Sequence, residues 1–418
     1  MGVKTLVRRL PGVVSGVRLG KRMVAIARRG KMGAYAGAPN GEHGLGILAL
    51  PDSRHRFVGY YDHSPFKPDD ERLLLVHSTR HPAWRRPSAA VPVCIELINH
   101  QDSTVVCELG ESYAWNWQQG ARALWLNAET IIFNVYDSAM DRYRARMVRC
   151  DGTHLADLTI PVQEIDSQGR IYGLSYEALA AVRPDYGYRN RQPGSHELAG
   201  NAIEQFDPST HMHNVLIRLS TLQKQAQTRH GSPIMQAKLN HVMASPNAAR
   251  LVFLFRYFVG GRRITDLYEM STNGGPARLL VADSGVSHVC WWGDDKVIAT
   301  MMGVGGFGYY VVPIDAAEPT LMWAQQDGHP SCVDERYLLT DTYPDRYALR
   351  RLLMRSVDTG GLTELGAFPE PLFYQGETRC DLHPSLSPSG RYIQVDCAIG
   401  HRRSVAILAN PLFGGGGA

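Results

Sequence analysis

The stretch DGHPSCVDERYLLTDTY (residues 327–343) decides how this chain is read. A histidine stands ahead of a turn cluster, one basic residue and an apolar run. A lone strand has no need of that histidine, and a solvated loop does not favour it. The pattern returns as RCDLHPSLSPSGRYIQVDC (379–397), LNHVMASPNAARLVFLFRY (239–257), VSHVCWWGDDKVIATM (286–301) and GYYDHSPFKPDDERLLLV (59–76). From histidine to basic residue the spacing is 7 to 9 residues in all five copies. Such a repeat outranks residue-by-residue assignment, because overlooking it misreads the whole fold.

Further strand-like pieces follow each copy. After RYLLTDTY come RRLLMRSVD, a TGG turn and LTELGAF; after RLVFLFRY come ITDLYEMS, a TNGG turn and PARLLVA. Short, evenly spaced strands joined by glycine turns predict four-stranded antiparallel units. One unit per roughly 50 residues is a β-propeller blade. Two weaker units, YAWNWQQGARALWLNAETIIFNVY (113–136) and RIYGLSYEALAAVRPDYGY (170–188), complete a set of seven. The heads are placed at Asp62, Trp115, Tyr172, His241, His288, His329 and His383. The expectation is therefore an all-β, seven-bladed propeller over residues 41–410, with a polar, partly helical insertion at about 189–236. The last unit has three strands of its own, and HGLGILAL (43–50) is expected to close the ring as its fourth. Closure removes a sheet edge that would otherwise invite aggregation. The Gly-rich tail, 411–418, falls outside.

In a propeller the first strand of each blade lines the central channel. A residue at its head points at the channel mouth. His63, His241, His288, His329 and His383 are thus expected on one face. The plainer reading is that each caps a turn or bonds a neighbouring blade. Stability alone would more readily use apolar residues there.

Charge is unevenly spread. Lys4, Arg8, Arg9, Arg18, Lys21, Arg22, Arg28, Arg29 and Lys31 precede the first acidic residue, Glu42. The remaining 35 of 44 basic residues face 40 acidic ones, so the body offers no basic field for nucleic acid. On a helical wheel Val13, Val17, Met23, Val24 and Ala27 share one side of a basic amphipathic extension (residues 1–40). Residues 1–30 could lie on an anionic membrane surface, form a disordered arm or act as a transit-like leader. The seven cysteines include no C-x-x-C pair and read as free thiols in a reducing compartment. With no export signal, the expected location is the bacterial cytoplasm or the inner-membrane surface.

HPSLSPSGRY and HPSCVDERYLLTDTYPD resemble the TolB-type propeller repeat, and the arrangement is most similar to the oligogalacturonate lyase group over roughly residues 55–408. The resemblance implies a histidine base, a carboxylate-binding arginine and a divalent metal, manganese or calcium, at the histidine cluster. By position these are His241 and Arg379. The group's Gln…His-x-His ligands are not reproduced: Gln375 is followed by Arg379 and His383 at other spacings. Ulvan lyases, also propellers, use histidine, tyrosine and arginine, for which Tyr60, Tyr61 and His63 stand in GYYDHSPF.

Such a lyase removes the proton α to a uronate carboxylate and expels the glycosidic oxygen. The carboxylate's charge must be neutralised, a base must work near neutral pH, and the leaving oxygen wants an acid. The set His241, Tyr61, His329, His383 and Arg379 contains each type. Tyr60, His63, His288 and the strip Trp115, Asn116, Trp117, Gln118 are candidates for holding a poly- or oligosaccharide, with interblade packing the alternative for the tryptophans. A glycoside hydrolase is the rival enzyme, since Asp62, Asp327 and Asp381 lie near heads. A non-catalytic propeller that binds sugar or protein is the third reading.

Overall fold

The run RLVFLFRYFV (Arg250–Val259) is buried at every position from Leu251 to Tyr257. A strand covered on both faces has no polar side to alternate with. Here the covers are neighbouring blades. The computed structural model describes residues 19–28, 46–191, 200–315, 317–399 and 402–413, which form seven antiparallel sheets.

Blades 4, 5 and 6 are regular. Blade 4 runs Met235–Ala244, Arg250–Val259, Arg262–Ser271 and Arg278–Val281. The inner strands of blades 5 and 6 are Val289–Trp292 and Ser331–Asp334. Blade 7 contributes Ser385–Leu386, Tyr392–Ile399 and Arg402–Ala409. Its fourth strand is Gly46–Ile47, with Gly46 opposite Ile407 and Ile47 opposite Ala406, which closes the ring as the sequence predicts.

The first three blades depart from the repeat. In blade 1 the inner strand is split into His55–Phe57 and Phe66–Lys67, both paired with Asp70–Thr79. The segment between them leaves the sheet and enters the channel. Gly59 permits the departure: its φ is +112°, and a Cβ there would sit 2.9 Å from the Gln119 backbone. Two heads are corrected. The inner strand of blade 2 is Leu124–Trp125, after Trp115 has turned back through an Asn116–Gly120 bridge. In blade 3 it is Glu164–Ile165, and Tyr172 lies in the second strand opposite Glu164.

The insertion at 189–236 is also redrawn. Ala202–Asp207 and Met212–Arg218 are the outer strands of blade 3, and the excursion lies between Gly173 and Ala202. Met212–Arg218 is mostly exposed, so it carries none of the apolar signal that marks an inner strand.

Three helices complete the description: α1 (residues 19–28), α2 (Tyr176–Val182) and α3 (Leu219–His230). Helix α2 starts at Ser175, whose side chain accepts from Ala178 N. It folds the excursion back so that Asp185 and Tyr186 reach the channel face. None of the described helices is long and apolar enough to cross a membrane. Helix α1 docks on the propeller through Arg22, leaving Met23 and Val24 exposed. Val13 and Val17 lie outside the described residues, as do 414–418.

Candidate functional site

Four of the five predicted histidines meet. Ring centroids lie 5.5 Å apart for His241–His288, 4.3 Å for His288–His329 and 4.4 Å for His329–His383. All four are at most 3% exposed. His241, within the inner strand of blade 4, and His383, two residues ahead of that of blade 7, hold left-handed φ angles of 53° and 46°. Histidine tolerates that region better than bulkier or β-branched residues, at a cost of order 1 kcal/mol or more.

A second group comes from the segment that crosses the channel. Tyr60 lies 5.1 Å from His383 and 5.5 Å from His241, and Tyr61 lies 5.3 Å from His329. The segment is pinned along its length. Val58 N and Gly59 N donate to Asp396 at 2.7 and 2.9 Å, and His77 Nδ1 donates to Val58 O at 3.0 Å. Asp62 pairs with Arg122 at 2.9 Å, both almost fully buried. His63 pairs with Glu164 at 2.9 Å. His63 thus lies beyond the tyrosines, on a separate pocket of 260 Å³ with Ser64 and Leu386, and not among the mouth histidines.

Each mouth histidine has a distinct partner. Asn240 bonds His241 Nδ1 at 2.7 Å, and the Tyr60 hydroxyl bonds its Nε2 at 2.6 Å. Burial, and then Arg256, holds His241 far below the usual histidine range, so the imidazole is neutral. Burial likewise keeps the Tyr60 phenol protonated. His288 Nδ1 faces Asp327 at 3.1 Å. His329 Nδ1 donates to Asp341 at 2.8 Å; burial opposes its charge, but that carboxylate outweighs it and raises the pKa. Asp341 also accepts from His329 N, Leu382 N and His383 N, which ties the heads of blades 6 and 7 together.

The cations are unevenly paid. Arg379 sits at the rim, with Nε on Asp381 at 2.6 Å, Nη1 on Asp185 at 2.7 Å and Nη2 on Tyr186 OH at 3.2 Å. Arg256 and Lys238, 7% and 6% exposed, form no ion pair among the described residues. Arg256 gives only Nη2 to the carbonyls of Ser287 and Val286, at 2.6 and 3.2 Å. Burial, followed by Arg256 and Arg183, pulls the Lys238 amine down to about 6. Arg256, a buried cation without a counter-charge beside a neutral imidazole, with a buried amine that regains its proton when an anion arrives, makes a receptor for an anion.

At the mouth, metal-ligating side chains gather in one corner. One donor atom each from His329, Asp381 and His383 lie within 4.8 Å of one another. The Nε2 atoms of His329 and His383 are buried and have no hydrogen-bond partner. Two orphaned imidazole nitrogens and a carboxylate fit a divalent transition-metal ion, with Asp341 orienting one imidazole from behind. Calcium, which takes six to eight oxygen ligands, does not suit this set. Gln375 is not part of it; its side chain donates to Leu372 O.

The tryptophan strip lies elsewhere. Trp115 and Trp117 are 2% and 1% exposed, donate to Val91 O and Arg85 O, and pack against Phe57 between blades. Asn116 Oδ1 accepts from Gln118 N and Gln119 N, shaping the turn, and Gln118 Nε2 donates to Arg379 O at 2.9 Å. Through Gln118 these residues support the rim from behind. Sequence reading missed Arg256, Lys238, Asp341 and Tyr186, and named Asp381 only as a carboxylate for hydrolysis. A signal existed for Arg256: it is the one charged residue inside LVFLFRYFV. The Asp381-x-His383 spacing was another. Tyr186 had none, since only the folded excursion brings it to the mouth.

No family model matches the sequence, and no curated protein does either. Solved structures do. An oligogalacturonate lyase in complex with manganese superposes with a TM-score of 0.64 at 12% identity, covering 90% of this chain and 95% of the other. The oligogalacturonate lyase of Vibrio parahaemolyticus gives 0.59 at 12% identity, over 90% and 98%. TolB from Acinetobacter baumannii gives 0.42 at 14% identity, over 78% of each chain. At such identities likeness is a matter of architecture: this chain has the seven-bladed propeller fold that the oligogalacturonate lyases share.

Proposed function

We propose that the protein cleaves a uronic-acid-containing glycan by β-elimination at the channel mouth. The observation that carries this reading is the neutral His241–Tyr60 pair beside Arg256, a buried cation with no ion-pair partner among the described residues. A uronate carboxylate supplies the missing charge. Neutralised there, it no longer repels the electron pair left when the adjacent C–H proton departs. His241 takes that proton. As the new C=C forms and the glycosidic C–O bond breaks, the leaving oxygen takes a proton from Tyr60, which recovers one from His241. The roles given to Tyr60 and Tyr61 by sequence are thereby exchanged, because the Tyr61 hydroxyl is spent on Val289 O at 2.9 Å. Arg379 holds the rim through Asp185 and Tyr186.

A divalent cation held by His329, His383 and Asp381 would add Lewis-acid neutralisation of the same carboxylate. Mn²⁺ is then expected to raise the melting temperature of the wild type in a concentration-dependent way, and not that of His329→Ala/His383→Ala.

Hydrolysis needs one protonated carboxyl beside one free carboxylate. Asp327 and Asp381, in spite of burial, are held well below the usual carboxylate range, by His288 and by Arg379 and Arg350 respectively. Asp62 is committed to Arg122. That pairing favours elimination over hydrolysis.

Incubation with a panel of polyuronates should produce the ultraviolet absorbance of a conjugated C=C. His241→Ala should lower its rate about thousandfold, within the span of general acid–base catalysis. Arg256→Met should chiefly raise KM. A rise in reducing ends without that absorbance, or full turnover by His241→Ala, defeats the reading.

A further inference from the structure

Helix α1 has a place on the propeller that the mouth alone does not explain. Arg22 fixes it: Nη1 donates to Tyr374 O at 2.8 Å, Nη2 to Pro371 O at 2.7 Å, and Nη2 pairs with Glu370 at 2.9 Å. Only Leu19, Arg22, Ala25 and Ile26 are even half-buried, so the helix touches the blades along one edge. Between it and the blade 6–7 loops a cleft of 840 Å³ remains. Its lining includes six cations, Lys21, Arg22, Arg28, Arg346, Arg350 and Arg379, against two carboxylates, Asp345 and Glu370. Both carboxylates are already paired, Glu370 with Arg22 and Arg350, and Asp345 with Arg351. Lys21, Arg28 and Arg346 are exposed and have no ion-pair partner among the described residues.

The cleft abuts the rim of the mouth at Arg379. Arg379 lines it and also bonds Tyr186 OH, and the Tyr186 ring lies 6.0 Å from Tyr60. From these observations we infer that α1 and the blade 6 rim form an extended subsite for the distal, negatively charged units of an oligo-uronate whose reacting unit occupies the mouth. The inference rests on the polyuronate reading of the mouth. A cleft of this size accommodates a drug-sized ligand, and a uronate disaccharide falls in that class. Lys21, Arg28 and Arg346 would meet carboxylates spaced along the chain. An anionic lipid surface is the competing ligand, given exposed Met23 and Val24. A flat bilayer would touch Met23 but not a concave floor that ends at Arg350 and Arg379, whose side chains are 3% and 13% exposed.

The test uses the full chain and the triple variant Lys21→Ala/Arg28→Ala/Arg346→Ala, with circular dichroism to verify folding. Calorimetry measures binding of galacturonate and mannuronate dimers and hexamers over a salt series. The wild type should bind a hexamer more tightly than its dimer. The variant should lose about tenfold in hexamer affinity, the sum of three exposed ion pairs, and keep its dimer affinity. Its salt dependence should also be shallower. Equal hexamer affinity in variant and wild type overturns the subsite, as does equal loss for dimer and hexamer, or no hexamer binding by the wild type. Loss of sedimentation with phosphatidylglycerol vesicles, with hexamer affinity kept, overturns it in favour of a membrane surface. Binding is read without turnover, so a wild type that binds hexamer but forms no C=C sinks the lyase reading and leaves the subsite standing.

Discussion

Blades 4 to 7 and blades 1 to 3 contribute to the mouth in opposite ways. In the second half of the ring each inner strand carries a histidine within it, as at His241, or one or two residues ahead of it, and four such strands deliver four imidazoles into contact. Repetition does the positioning. In the first half no inner strand delivers a mouth histidine. Blade 1 breaks its inner strand and sends Tyr60 and Tyr61 across the channel, while blades 2 and 3 supply anchors: Arg122 for Asp62 and Glu164 for His63. The regular half supplies chemical groups, and the irregular half fixes what lies between them. A site can thus combine a repeat with one deviation from it, provided buried polar contacts hold the deviation in place.

The comparison breaks most visibly at Arg122. Arg122→Ala leaves the Asp62 carboxylate buried and unpaired, which costs about 3–5 kcal/mol. A large fall in the melting temperature is expected, together with lost activity even though all four histidines remain. A variant with wild-type stability would show that the crossing segment holds itself. Next in size is Tyr60→Phe, which removes the hydroxyl on His241 and should slow turnover about hundredfold with little change in folding.

Asp396, which holds Val58 and Gly59, gives a pH test. Burial pushes its carboxyl from the ordinary 3.8 to about 7. The folded chain therefore keeps a proton that the unfolded chain releases between those values. Stability from this group is present in acid and falls as pH rises from about 4 to about 7, by about 4 kcal/mol. Asp396→Asn should flatten that slope in denaturant titrations; an unchanged slope would place the titration elsewhere. The smallest effect belongs to Tyr61→Phe, which gives up the hydroxyl's hydrogen bonds to Val289 O and from Val289 N, about 1–2 kcal/mol, and should leave turnover within a few-fold of the wild type. Equal losses for the two tyrosine variants would remove the distinction drawn between them.

Legibility follows the same division. The regular half could be read from sequence because His241, His288, His329 and His383 each precede a turn and an apolar strand at nearly constant spacing, and a ring turns constant spacing into convergence. His63 fits that spacing, yet it lies beyond the tyrosines because its strand leaves the sheet at Gly59. Trp115 and Trp117 looked like channel residues, but large aromatic surfaces are worth most between blades. Tyr172 reads as a head in the sequence because the second strand of blade 3, Ile171–Gly173, carries a stronger apolar signal than the two-residue inner strand Glu164–Ile165.

The amino-acid sequence alone determined the architecture, the closing strand and the four-histidine cluster, because hydrophobic periodicity and repeat spacing are local properties that the ring geometry converts into position. Tertiary structure decided which groups are charged, paired or free. Arg256, Lys238 and Tyr186 matter through neighbours hundreds of atoms away along the chain, and burial, which sets their protonation, exists only once the blades have closed around them.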